Sequence, residues 1–234
     1  MHLHRVKILV VLLLLAVAPT VAQDTVDNPV LRMLRFVPDT PENREYVTYG
    51  DAAAWHTSWD VPRIDSVAEI DDLARDPRAY WLNIMPRQTT PPDALGLQFV
   101  MLDEMRQVYG FDLFNVDRYL QAGQPPDLLT VIDYNFPGSQ IADSLVASGY
   151  SVETLNDEAE LYSILDDYQA DLSLETVKAR VGQLGNLNRI ALLEGQMVIA
   201  KATANVTNAF AAREGDIPSL AGDPGYIAAT TALL

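Results

Sequence analysis

The chain contains no cysteine. That excludes disulfides, thiol nucleophiles, iron–sulfur clusters and thiolate zinc sites. Histidine is nearly as scarce, with only His2, His4 and His56 present. Positive charge is also short: 16 Lys+Arg stand against 32 Asp+Glu, a formal charge of −16. Nucleic acid and anionic lipid are poor partners for such a chain, because both are held by clustered Lys and Arg. The catalytic signatures G-x-S-x-G, S-x-x-K and H-E-x-x-H are missing, as is a Gly-rich phosphate loop. No motif implies a cofactor.

What is present begins with the first 22 residues, MHLHRVKILVVLLLLAVAPTVA. Arg5 and Lys7 form a basic start, Ile8 to Ala18 an apolar run, and Thr20-Val21-Ala22 a small-residue cleavage site. This pattern predicts an export signal and a mature chain starting at Gln23. A retained membrane anchor is the alternative. The apolar run, closed by Pro19, is far shorter than the roughly 20 residues a spanning helix needs. Cleavage would place the mature protein in the periplasm or outside the cell, with no membrane attachment. It would also remove His2, His4, Arg5 and Lys7. His56 is then the single histidine, too few for a zinc centre with two imidazoles and the only base for a Ser-His-Asp triad. The formal charge deepens from −16 to −18. An acidic domain without disulfides must rely on its core, and 49% apolar content over about 210 residues supplies one.

After a polar lead-in over 23–30, expected to be disordered, the part from 31 to 124 reads as mainly helical. Asp51 looks like the N-cap of a helix reaching Trp59, Ile64 to Ala74 carries apolar residues at helical spacing, and Leu95 to Tyr109 reads as a third helix. Tyr46 to Tyr49 is a short extended piece. The character changes near Gln124-Pro125-Pro126. Leu128 to Tyr134 is a strand, Pro137 opens a helix to Ser148, and Tyr150 to Leu155 and Glu160 to Leu165 are strands. A helix follows from Ser173 or Leu174. Asn188–Leu193 and Gln196–Lys201 form a hairpin about Glu194-Gly195, Thr203 to Arg213 is a helix, and Pro224 starts the last one. From residue 125 to 234 the order β-α-β-β-α-β, plus one strand and a helix, matches a ferredoxin-like unit. The expected fold is α+β, with the helical part packed on an antiparallel ferredoxin-like sheet as one continuous unit and helices on one face. The finish at Leu233-Leu234 reads either as a fragment's end or as a helix docking its apolar tip.

Three segments carry a resemblance: Phe36-Val37-Pro38-Asp39-Thr40-Pro41-Glu42-Asn43-Arg44 with Tyr46 and Tyr49; Tyr109-Gly110-Phe111-Asp112 with Val116-Asp117 and Pro125-Pro126; and Asn188 to Lys201 with Pro218-Ser219-Leu220-Ala221-Gly222-Asp223-Pro224. Together they resemble exported bacterial proteins of a domain-of-unknown-function family with ferredoxin-like sheet modules. The resemblance spans about 36–230 and rests on turn and cap residues. It implies a fold and brings no catalytic residues with it.

Two groups are candidate sites. Trp55-His56-Thr57-Ser58-Trp59-Asp60 would, on a helix, set Trp55 beside Trp59 and His56 beside Asp60. A carboxylate one turn away would raise the histidine's pKa and orient its ring. The group would then serve as a general base or an aromatic platform, with Tyr80 and Trp81 as neighbours. A core-facing tryptophan pair beside a surface His–Asp pair is the plainer reading. Asp157, Glu158 and Glu160, in a predicted turn, are the best candidates for calcium, although no D-x-[DN]-x-[DN]-G pattern occurs. A solvated acidic surface is the plainer reading there. The other acidic pairs, Asp71-Asp72, Asp103-Glu104 and Asp166-Asp167, read the same way. Asn205-Val206-Thr207 matches a glycosylation sequon by chance.

The residues therefore predict an exported, non-catalytic module that binds an extracytoplasmic protein or a small ligand. A secreted hydrolase using His56 or a carboxylate pair, and an acidic calcium-dependent surface protein, are the alternatives. The first expectation is directly measurable: N-terminal sequencing of the protein exported from a bacterial host should begin at Gln23, and a product starting at Met1 would make the segment an anchor.

Overall fold

Leu129–Tyr134, Arg189–Leu193 and Gln196–Ala200 are mostly apolar and are buried at nearly every position rather than at alternate ones. Strands of that kind need cover on both faces. The computed structural model provides it, and the structure describes residues 28–79, 81, 95, 101–172 and 185–232. Among these, seven strands form one antiparallel sheet: β1 (Val47–Asp51), β2 (Val116–Ala122), β3 (Leu129–Tyr134), β4 (Ser151–Asn156), β5 (Ala159–Ser163), β6 (Arg189–Leu193) and β7 (Gln196–Ala200). Their spatial order is β1-β2-β3-β7-β6-β5-β4. The described helices are α1 (Pro29–Leu34), α2 (Pro41–Glu45), α3 (Ala52–Ser58), α4 (Val67–Asp72), α5 (Arg75–Ala79), α6 (Leu102–Tyr109), α7 (Gly138–Ala147), α8 (Thr203–Glu214) and α9 (Pro224–Thr231).

The α+β class expected from the sequence is observed, but the strand order is not ferredoxin-like. In a ferredoxin-like unit β3 would lie between β5 and β6. Here β3 pairs with β2 on one side and β7 on the other. The reason is β2, which the sequence reading missed. Val116-Asp117-Arg118-Tyr119-Leu120-Gln121-Ala122 mixes charged and apolar residues, and its charged members Asp117 and Arg118 pair with Arg63 and Asp51. Once β2 occupies one edge of β3, the β6–β7 hairpin takes the other. The boundary at 124/125 therefore falls inside the β2–β3 hairpin, and the supposedly helical first part contributes two of the seven strands.

Helices also cover both faces rather than one. On one face Met105 and Val108 of α6 and Ile141 and Leu145 of α7 cover Ile132, Ile190, Met197 and Ile199. On the other, Met33 and Leu34 of α1 and Val206, Ala209 and Phe210 of α8 cover Leu120, Val131, Leu161, Ala191 and Val198. Full burial of each Val, Leu, Ile, Met or Phe side chain among them stabilises by roughly 1.5–3 kcal/mol. The period-2 alternation of the strands sorts their residues between the two layers.

The helix ends follow local chemistry. Asn28, Thr40, Asp51 and Asp223 accept first-turn N–H bonds at the starts of α1, α2, α3 and α9, with proline in the first turn of α1, α2 and α9. The helix expected from Ile64 starts only at Val67. Glu69 reaches back to Ser66 Oγ at 2.8 Å and to Asp65 N, which fixes the start there. Gly110 ends α6 at φ +75°, and a Cβ there would lie 2.6 Å from the Gln140 carbonyl oxygen of α7. The expected helix from Ser173, the signal segment and residues 23–27 of the lead-in lie outside the described residues, while 28–30, expected to be disordered, are ordered because Asn28 caps α1. No described helix is long and apolar enough to cross a membrane.

The segments behind the family resemblance hold the ends of the described chain together. Pro38 bridges to Ser219, Asp39 N donates to Pro218 O at 2.9 Å, and Leu220 N donates to Val37 O at 2.9 Å. Arg44 donates to Asp39 at 2.7 Å and lies 3.4 Å from Asp223. Beneath α6, the buried carboxylate of Asp112 accepts from Arg106 Nε at 2.8 Å and from Phe114 N at 2.9 Å, while Asn115 accepts from Asp112 N. Burial pushes the Asp112 carboxyl up to about 6 despite the opposing pull of Arg106. A raised folded-state value means that its contribution to stability is present at low pH and declines as pH rises through about 6. Arg106→Ala strands that carboxylate. The variant should lose about 2–3 kcal/mol at pH 7.5 by urea denaturation, and less at pH 5, where Asp112 takes up a proton.

Candidate functional site

The strand directions place the C-terminal ends of β3, β4 and β6 at one end of the sheet. Three turns meet there: Asn135-Phe136-Pro137 leading into α7, Asp157-Glu158 between β4 and β5, and Glu194-Gly195 between β6 and β7. They border a groove of about 1120 Å³. Its floor is fixed by tyrosines. Tyr134 Oη donates to Leu193 O at 2.7 Å, tying the end of β3 to the end of β6. Gly138, at the start of α7, has no side chain because a Cβ would lie 2.7 Å from that hydroxyl. Tyr162 Oη donates to Glu160 Oε2 at 2.6 Å. Burial raises both phenols above their ordinary pKa, reinforced by Glu160 at Tyr162 and by Glu194 at Tyr134. Both remain neutral hydrogen-bond donors.

The charge of the lining has one sign. Asp157, Glu158, Glu160 and Glu194 border the groove, and among the described residues no Lys, Arg or His does. Glu158 is partly neutralised by Arg213 of α8 at 2.7 Å. Thr154, Asn156, Asn135 and Ser139 add polar groups, and Phe136, Ala142 and Leu192 apolar surface. These groups can hold a cationic ligand by charge and by accepting hydrogen bonds.

The three residues proposed for calcium thus share one groove but not one ion. Glu160 is engaged by Tyr162 beside α7, whereas Glu158 turns to Arg213 of α8, which packs on the opposite face. Among the described residues no three His, Asp or Glu side chains gather as metal ligands.

At the second candidate the structure reverses the expected orientation. Trp55 and Trp59 stack at 6.3 Å and 15°, and Trp59 is 50% exposed. His56 turns inward, 7% exposed, against the buried indole of Trp81 at 4.8 Å. Trp81 in turn meets Phe114 at 5.3 Å. Tyr80 lies outside the described residues. The His56–Asp60 partnership does not form, because α3 ends at Ser58 and Asp60 turns away into the left-handed region at φ +50°. Instead of rising, the pKa of His56 falls, through burial first and then the charge of Arg63. Arg63 is held by Asp117, which also accepts from Asn135 at 3.0 Å. The imidazole is thus buried against Trp81 rather than presented at the surface. The sequon Asn205 sits on α8 with its amide donating to Asp127 at 3.2 Å.

The groove residues missed from sequence are Tyr134, Ser139 and Glu194. Their common signal is position at or just after a strand end, and it becomes informative only when the strand order is known. No protein-family model matches the chain, and neither a curated protein nor a solved structure matches it.

The depressed pKa of His56 has a defined sign. The unfolded chain takes up a proton near pH 6.5 while the folded chain resists it, so stability is full above that pH and declines as pH falls below it. Urea midpoints should drop between pH 7.5 and 5.5, and His56→Gln should flatten that decline.

Proposed function

We propose that the chain acts outside the cytoplasm as a non-catalytic binding module, with the groove at the end of β3, β4 and β6 as its ligand site and a positively charged ligand as its occupant. The observation that carries this reading is the single-signed lining: four carboxylates and no basic side chain among the described residues that border the groove. Within a Debye length of roughly 8 Å such charges act together on an approaching cation. The export pattern of residues 1–22 supplies the compartment. The groove offers hydroxyls and carboxylates but no activated nucleophile, and His56 is buried elsewhere beneath Trp81. Binding therefore accounts for more of these features than hydrolysis does.

The polyamine spermine is a suitable probe. At low salt it should raise the melting temperature of the mature protein, because binding to the native state alone stabilises by mass action. About 0.5 M salt should abolish the shift, since the interaction is screened. Asp157→Asn with Glu160→Gln should lose at least half of it. Asp65→Asn with Asp72→Asn, which removes equal charge elsewhere, should retain it. Equal shifts in both double variants would reduce the effect to net charge and overturn the site.

A further inference from the structure

We propose that the groove's ligand is an extended basic peptide segment that joins the sheet as an eighth strand against β4. This rests on the groove reading above and adds the chemistry of its occupant. Among the described residues β4 closes one end of the strand order and pairs only with β5. An edge strand presents unpaired N–H and C=O groups at alternate residues, a template for one more strand. The side chains of Ser151, Val152, Glu153 and Thr154 are all exposed, Val152 by 51%. The stretch has no proline or lysine, the residues that commonly blunt such an edge. The bulge between Thr154 and Asn156 limits the free template to these four residues. The other end of the sheet is different: β1 is half-buried throughout and runs directly into α3.

Charge and register specify the added strand. Thr154 stands opposite Glu160, so a ligand residue beside Thr154 lies on the groove face, two strand spacings or roughly 10 Å from Glu160 at the backbone. A lysine or arginine there reaches over the short threonine toward that carboxylate. The next ligand residue points to the opposite face beside exposed Glu153, a cross-strand site for a second basic residue. The third returns to the groove face beside Val152, which stands opposite Tyr162 and favours an apolar partner. The recognised pattern is therefore two adjacent basic residues flanked by an apolar one. Main-chain hydrogen bonds supply affinity and alternate side chains supply selectivity, as in strand addition generally.

The test leaves the protein unaltered. A capped heptapeptide centred on Lys-Lys-Val, the order that a strand antiparallel to β4 presents from Thr154 to Val152, is titrated into the mature protein by fluorescence anisotropy, beside two analogues N-methylated at alternate backbone amides in the two possible phases. Strand addition expects one analogue to bind at least tenfold more weakly and the other to bind like the parent, because only one set of N–H groups faces β4. Glu153→Lys should weaken the parent peptide at least fivefold with its melting temperature unchanged. Two analogues that bind alike, with spermine still bound, would overturn the eighth strand and leave the groove reading standing. Silence of both spermine and the parent peptide would remove both readings. A wild-type dimer in sedimentation that Val152→Lys dissociates would give the edge to a second copy of the chain and overturn the peptide.

Discussion

The pairing of β3 with β7 holds the architecture together. It joins two antiparallel runs, β1-β2-β3 and β7-β6-β5-β4, that would otherwise be separate small sheets. Its register runs from Thr130 against Ile199 to Asp133 against Gln196. A polar row marks where that register stops. Asp51, Arg118, Asp133 and Gln196 stand directly opposite one another across β1, β2, β3 and β7. Asp133 accepts from Arg32 and from Gln196, both at 2.7 Å, and Arg118 donates to Asp51 at 2.9 Å. A slip of one residue would carry Asp133 to the other face, among the apolar side chains around Ile132 and Tyr134, away from these partners. Charge desolvation thus locks the register that apolar burial alone leaves degenerate.

A sheet with both faces apolar needs two layers of cover, and the chain draws them from distant segments. α6 and α7 lie inside the sequence of strands, but α1, α8 and α9 come from near the two ends. The contacts of Pro38 with Ser219 and of Arg44 with Asp39 and Asp223 bring these ends together, so the second layer forms only after the chain has returned. Non-local contacts of this kind slow folding but favour a cooperative product. The turn and cap residues that look most distinctive in the sequence serve this closure rather than any chemistry.

The same topology explains why the groove and the open edge are neighbours. With β3 and β7 at the centre, β4 is pushed to the outside, and its turn into β5 faces the start of α7 across the ends of β3 and β6. Four acidic residues thereby border the groove beside β4, the one described strand whose side chains are mostly exposed.

Much of this was legible along the chain. Apolar runs identify β3, β6 and β7, Glu194-Gly195 their hairpin, and Asp51 and Pro224 two helix starts, because strands, turns and caps depend on neighbours in sequence. β2 was not legible, since Arg118 and Asp117 disguise it until Asp51 and Arg63 are beside them. His56 and Trp59 exchanged their expected places because helical spacing states which residues share a face, not which face is buried; Trp81 decides that. Composition by itself determined an acidic, cysteine-free chain with one histidine beyond the signal-like segment, and local pattern determined most of its elements. Only the tertiary structure decided the strand order, the cover on both faces and the meeting of Tyr134, Glu160 and Glu194, because each depends on contacts between residues far apart in sequence.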